Sequence, residues 1–182
     1  MSRPTRVHHI AFGTRDVEGT YDFYTRRLGL PLVHTENHLS GRGWFRHFFF
    51  DVGNGEYLGF FAFENVGEKA GYRTDISTGL GLPPWINHVA FNVESVAALD
   101  QMKARCRANA VEIEGEMDHG WCRSIYLRDP NGILVEFTTT TDAAAFGMTE
   151  DEALRLLRQP PQEFGGAQRK EISPHGRTRD GE

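Results

Sequence analysis

The stretch GWCRSIYLRDPNGILVE, from Gly120 to Glu136, is a second edition of GWFRHFFFDVGNGEYLG, which runs from Gly43 to Gly59 seventy-seven positions earlier. Gly43, Trp44, Arg46, Asn54 and Gly55 recur as Gly120, Trp121, Arg123, Asn131 and Gly132. Each copy reads as two strands about a tight turn. Gly-Asn-Gly (53–55) supplies one tip, and Asp-Pro-Asn-Gly (129–132), where Pro presets φ and Gly accepts positive φ, supplies the other. A chain that repeats a hairpin in this way is constrained to build two like modules. One position breaks the repeat: Glu136, a carboxylate inside an apolar strand, stands where the first copy has Gly59.

The segments around the hairpins repeat too. HHIAFGTRDV opens the first half and NHVAFNVESV the second, so His9 corresponds to His88 at an offset of seventy-nine. In the first half, Val7 to Phe12 is expected as a strand and Asp16 to Leu28 as a helix closed by Gly29. Strands are expected over Pro31 to Leu39, Trp44 to Val52 and Glu56 to Phe63. The second half repeats the order, with a strand over Trp85 to Val93 and a helix over Ser95 to Ala108 with Ser95 as N-cap. Strands over Val111 to Met117, Trp121 to Leu127 and Ile133 to Thr140 complete it. The expected fold class is therefore α+β: two tandem βαβββ modules, residues 6–64 and 85–140, forming a cup-shaped mixed sheet within one domain. A Gly-, Thr-, Ser- and Pro-rich linker (65–84) joins them. A C-terminal helix (149–158) with Thr149 as N-cap and Glu152 completing a capping box follows, then a polar tail (160–182) expected to be disordered or draped on a partner.

Charge and hydropathy restrict the partners. A formal net charge of −5 argues against a nucleic-acid or membrane-surface role, which demands a basic face. No apolar run reaches the ~18 residues that span a bilayer, and the start MSRPTRVHHIAF lacks the apolar core of a signal peptide. The expected location is cytoplasmic. Cys106 and Cys122 are too few for a disulfide framework and read as reduced, buried thiols.

Strand alternation sorts the histidines. Val89, Phe91 and Val93 form one apolar face of their strand, leaving His88, Ala90 and Asn92 on the other. In the first repeat His8 shares a face with Ile10 and Phe12, and His9 lies opposite with Ala11. Glu136 points away from Ile133, Val135 and Phe137 in the same manner. Two imidazoles and one carboxylate on a concave surface make a facial triad that holds a divalent metal and leaves positions open for substrate or dioxygen. The turn lengths suggest a register in which Tyr126 faces Leu134, Ser124 faces Glu136 and, in the first hairpin, His47 faces Gly59.

The motifs HHIAF, NHVAF and SIYLRDPNGILVEF, within roughly residues 6–140, resemble the vicinal oxygen chelate superfamily of glyoxalases, extradiol dioxygenases, antibiotic-resistance proteins and epimerases. The resemblance implies that His9, His88 and Glu136 are the ligands of one metal ion. Glyoxalase-like members draw a fourth ligand from the position that here carries Gly59, whereas extradiol enzymes use two histidines and one glutamate around Fe(II) or Mn(II). Extradiol enzymes also carry a catalytic Tyr ten residues before the Glu, where this chain has Tyr126, and a catalytic His in a His-Gly context, which His119-Gly120 resembles. The first expectation is thus an oxidoreductase, an extradiol-type dioxygenase using Fe(II) to cleave a small catechol-like or enediol substrate with dioxygen. His47, Phe49 and Phe61 would contact substrate. The alternatives are a glyoxalase-like lyase, isomerase or epimerase, with Zn(II) or Ni(II) possible, and a resistance-type protein that sequesters a ligand without turnover. Relatives of this length imply a homodimer.

Overall fold

A computed structural model describes residues 4–163 and 170–172. By its internal contacts the chain divides into two compact units. The first comprises residues up to Val89 with Arg105–Glu112 and Arg128–Val135; the second comprises Ala90–Ala104, Ile113–Leu127 and the residues from Glu136 onward. Unit boundaries therefore cut across the sequence repeat, and the tip of the second hairpin belongs to the first unit.

The first unit opens with β1 (His9–Gly13) and α1 (Val17–Tyr21), whose N-cap Asp16 accepts from Gly19 N at 2.8 Å. A π-helical turn, Asp22–Arg27, continues α1, and its wider ring is visible in Leu28 N bonding to Phe23 O at 3.0 Å. The same five-residue spacing lets Arg27 Nε reach Asp22 Oδ2 at 2.7 Å, and Gly29, at φ +86°, ends the helix. Next come β2 (Leu32–Ser40), β3 (Gly43–Gly53) and β4 (Glu56–Glu64), giving a four-stranded sheet in the order β1-β4-β3-β2. β1 runs parallel to β4, and the two hairpin pairings are antiparallel. One sheet face carries Phe48, Phe50, Leu58 and Phe60, all buried with Phe23, Tyr24 and Leu28 of the helix. Each such side chain withdrawn from water contributes roughly 1.5–3 kcal/mol, which fixes the helix to this face.

A polar knot anchors the Asp129 turn inside this unit. Tyr24 is fully buried and donates from Oη to Asp129 Oδ2 at 3.0 Å. Asp129 also accepts from Asn131 N, Asn131 Nδ2 and Ile133 N at 2.8–2.9 Å, and Asn131 Nδ2 reaches Thr20 Oγ1 at 3.1 Å. Burial pushes the Asp129 carboxyl above the usual carboxylate range against these hydrogen bonds, and pushes the Tyr24 phenol up as well.

The second sheet is five-stranded, in the order β5-β8-β7-β6-β9, from β5 (His88–Asn92), β6 (Gly115–Asp118), β7 (Cys122–Arg128), β8 (Leu134–Thr140) and β9 (Lys170–Ile172). Helix α2 (Val96–Ala108) precedes β6, with Ser95 Oγ accepting from Ala98 N at 3.2 Å as the N-cap pattern predicts. β6 starts at Gly115 instead of Val111, because Ala110 takes a left-handed φ of +53° and Val111 N is spent on Cys106 O at 2.8 Å to close α2. In the second unit, buried Glu116 is met by Lys103 Nζ at 2.8 Å and Arg123 Nη2 at 3.3 Å.

Two short helices follow, α3 (Ala143–Phe146), which the sequence did not announce, and α4 (Glu150–Leu157), where Thr149 Oγ1 accepts from Glu152 N at 3.3 Å. Within the stretch expected to lack regular structure, residues 170–172 form β9 against β6, and Pro161–Glu163 make a 3-10 turn; residues 164–169 and 173–182 lie outside the described residues. Cys106 and Cys122 are free and buried, and burial pushes the Cys106 thiol to about 11. No helix among the described residues is long and apolar enough to cross a membrane.

Candidate functional site

In the first unit the sheet face opposite the helix gathers the polar and aromatic residues singled out above. Register places Ala11 and Phe49 on either side of Gly59, and His47 opposite Phe61. His47 was expected opposite Gly59, so the hairpin is paired two residues away from the turn-length estimate. A two-residue slip leaves the face unchanged, and His47 still reaches Gly59 diagonally: a Cβ added there would stand 3.1 Å from His47 Nε2 and 3.2 Å from Phe49 Cε1. Absence of a side chain at 59 thus makes room for the imidazole.

His47 is clamped between two rings, stacked on Phe61 with centroids 3.7 Å apart and planes at 12°, and tilted 51° to Phe49 at 4.0 Å. Its Nε2 is buried and has no hydrogen-bond partner among the described residues. Burial, then the neighbouring His9, hold its pKa below the usual imidazole value, which favours the neutral ring. His47, Phe49 and Phe61, predicted as substrate contacts, therefore form one cluster, with His9 at 6.0 Å from His47 and 5.6 Å from Phe49 by ring centroids. Edge strand β2 adds His34 and His38 to this face, both bonded to Glu36, at 3.3 and 2.8 Å. The observed register brings them into the cluster, His34 against Phe49 and His38 stacked on Phe45.

His9 is exposed at the head of β1, and its Nδ1 lies 2.8 Å from His8 Nδ1. His88 is exposed at the head of β5, its Nδ1 3.1 Å from Trp85 O, with Val89 buried on the opposite side of the strand. Both histidines occupy the phase that strand alternation assigned them.

The second unit positions Glu136, Tyr126 and His119. Backbone bonds Asp129 N to Ile133 O and Thr141 N to Trp121 O bracket the hairpin so that Tyr126 stands opposite Glu136 and Ser124 opposite Thr138. The expected register, Tyr126 facing Leu134, is displaced by two residues just as in the first copy. Glu136 is 6% exposed, and Ser124 donates to its Oε1 across the diagonal at 2.5 Å. Ser124 Oγ is also 2.9 Å from Thr138 Oγ1. Tyr126 Oη meets His119 Nε2 at 2.9 Å; burial and, next, the Glu136 charge push the phenol up to about 12. Gly120, at φ +86°, makes the turn after His119, with Asp118 Oδ1 accepting from Gly120 N at 2.8 Å. The His-Gly dipeptide thus turns the chain so that the imidazole folds back onto Tyr126.

His9 and His88 belong to the first unit and Glu136 to the second. Among the described residues no three His, Cys, Asp or Glu side chains come together as a metal-holding group. The chemistry of the donors still suits a divalent ion: Glu136 is a buried carboxylate to which Ser124 donates, and His9, with Nδ1 engaged, has Nε2 to offer.

Two βαβββ halves that carry histidine at the head of each first strand and a buried glutamate in the last define the vicinal oxygen chelate architecture. The chain belongs to the Glyoxalase/Bleomycin resistance protein/Dioxygenase superfamily, whose sequence profile matches residues 6–137. A lactoylglutathione lyase of Neisseria meningitidis is 26% identical over 132 residues, covering 72% of this chain and 88% of that protein. Among solved structures, a lactoylglutathione lyase from Agrobacterium tumefaciens superposes with a TM-score of 0.53 at 22% identity, over 81% of this chain and all of that one. A fosfomycin resistance protein from Listeria monocytogenes gives 0.51 at 22% identity, over 76% and 96%. These structural likenesses carry the fold.

Proposed function

We propose that this chain is a metal-dependent enzyme of the extradiol type, opening the ring of a small catechol-like or enediol substrate with dioxygen. The observation that carries this reading is the His119–Tyr126 contact beside Glu136. A phenol held to about 12 stays protonated throughout the neutral range, so Tyr126 is a fixed hydrogen-bond donor to a substrate oxygen. His119 Nε2, 2.9 Å from that phenol, would act as base and acid through it: Tyr126 passes its proton to Nε2 as its oxygen takes one from the substrate, and the reverse relay returns it. His9, His88 and Glu136 would hold the metal, Fe(II) first and Mn(II) next; when bound, it supplies Lewis-acid and redox chemistry to a substrate chelating through two oxygens. Ser124 keeps Glu136 oriented, while Phe49 and Phe61 offer flat faces to an aromatic ring and fix His47 as a neutral partner for a substrate oxygen. As in other superfamily members, two copies of the chain would work as a homodimer.

A second reading, a metal-dependent lyase or isomerase using Zn(II) or Ni(II), draws on the 26% identity with lactoylglutathione lyases. One experiment separates the two. Protein reconstituted with Fe(II) is given a panel of catechols under an oxygen electrode, and protein loaded with Zn(II) or Ni(II) is assayed for lactoylglutathione turnover. Stoichiometric oxygen uptake with ring-opened product supports the first reading. No oxygen uptake, with lactoylglutathione turnover, replaces it by the second.

A further inference from the structure

The HHIAF motif carries two adjacent histidines, and strand alternation sends His8 to the apolar side, away from His9. Instead the two rings meet. We propose that His8 is a positioning residue: it accepts a hydrogen bond from His9 Nδ1 and so fixes the one tautomer of His9 in which Nε2 has a lone pair for a metal ion.

The two Nδ1 atoms are 2.8 Å apart, and the rings stand edge to face with centroids at 5.1 Å and planes at 80°. A neutral imidazole has one proton for two nitrogens, so across this contact one Nδ1 donates and the other accepts. If His8 donates, His9 accepts at Nδ1, its own proton sits on Nε2, and neither nitrogen offers a free lone pair. If His9 donates, its Nε2 is bare and the proton of His8 moves to its outer nitrogen. Only the second arrangement lets His9 ligate, and His8 is the acceptor that it needs.

His8 is itself held in place. Its carbonyl accepts from Tyr57 N at 3.0 Å, and its ring leans over Tyr57 with centroids 5.7 Å apart. The residues before it are tied to the β3–β4 turn, Val7 N to Glu56 Oε1 at 3.1 Å and Arg6 Nη1 to Asn54 O at 2.7 Å. Because His8 precedes β1, its side chain is free of the strict alternation of the strand and can swing round the edge to meet His9. A hydrogen-bonded partner on the far nitrogen of a ligating histidine sets ring orientation and raises basicity, and its loss lowers metal affinity by roughly 10–100-fold.

This inference rests on His9 being a ligand, and the test separates the two claims. The full-length protein and its His8→Leu, His8→Asn and His9→Ala variants are titrated with Co(II) alone, followed by calorimetry and the visible d–d bands, with circular dichroism to verify folding. His9→Ala should abolish the specific site. His8→Leu should weaken Co(II) binding by at least roughly tenfold and shift the d–d bands. His8→Asn, whose Oδ1 falls near the position of Nδ1 and can accept the same proton, should recover most of the affinity. Wild-type affinity in His8→Leu, or equal losses in the Leu and Asn variants, overturns the positioning role while leaving the ligand set intact. Wild-type affinity in His9→Ala overturns the ligand set, and this inference with it.

Discussion

Asp129→Ala is the substitution whose cost the structure fixes most closely. The carboxylate is 4% exposed and accepts hydrogen bonds from Tyr24 Oη, Asn131 N, Asn131 Nδ2 and Ile133 N. Asn131 Nδ2 keeps Thr20 as a partner, so truncation strands three donors, one of them the hydroxyl of a fully buried tyrosine. At about 1–2 kcal/mol for each stranded donor, less about 1–2 kcal/mol recovered by no longer burying a carboxylate, the net loss is about 3 kcal/mol. Asp129→Asn keeps the two backbone bonds and should lose only about 1 kcal/mol. pH adds a second signature. The folded-state pKa of Asp129 is raised above 3.8, so between that value and the raised one the native state binds more protons than the unfolded state. Its contribution to stability is therefore fullest at low pH and declines as pH rises through the folded pKa; the advantage of wild type over Asp129→Asn should shrink in the same direction. Urea unfolding by tryptophan fluorescence across a pH series measures both effects. A loss under about 1 kcal/mol for Asp129→Ala, or Tyr24→Phe costing as much in the Asp129→Ala background as in wild type, refutes the reasoning.

Three further outcomes are expected. Gly59→Ala, whose Cβ would meet His47 Nε2 at 3.1 Å, should cost about 1–2 kcal/mol in thermal or chemical unfolding and move the His47 ring resonances; unchanged spectra would show that the imidazole does not need the gap. Glu116→Ala removes the shared partner of Lys103 and Arg123 and should destabilise by roughly 1–3 kcal/mol in chemical unfolding, the loss being limited because Lys103 keeps Asp100 at 3.5 Å; no measurable loss would show that the buried carboxylate is not stabilising. Tyr126→Phe should lower kcat on the best catechol by about 100-fold with little change in metal content, whereas full activity would reduce Tyr126 to packing.

Much of this architecture can be read from residue spacing alone. The repeated hairpins with Gly-rich tips, the helix closed by Gly29 and the phases of His9, His88 and Glu136 all follow from turn chemistry and period-two alternation. Register does not, because a slip of two residues preserves every face: pairing Phe49 with Gly59 and Tyr126 with Glu136 takes the coordinates. The start of β6 was also hidden, since the use of Val111 N to close α2 depends on Ala110 turning left-handed, which no propensity announces. The π turn at Asp22–Arg27 lies inside the stretch expected as ordinary helix, and its i to i−5 bond from Leu28 N to Phe23 O has no signal in residue spacing. Among site residues, Ser124, Tyr126 and His119 carried local signals, whereas His8 had none: alternation pointed it the wrong way.

The Tyr24–Asp129 bond has an implication for how such a chain can be divided. A cut in the linker at residues 65–84, the natural place by composition, would free a βαβββ half whose helix carries a fully buried phenol with its acceptor left behind on the other fragment. The halves match in sequence, yet the first borrows a turn from the second. Co-expression of the two fragments should therefore rescue folding where the first alone fails, and any tag, permutation or domain exchange designed at the repeat boundary must carry residues 128–135 along with the first half.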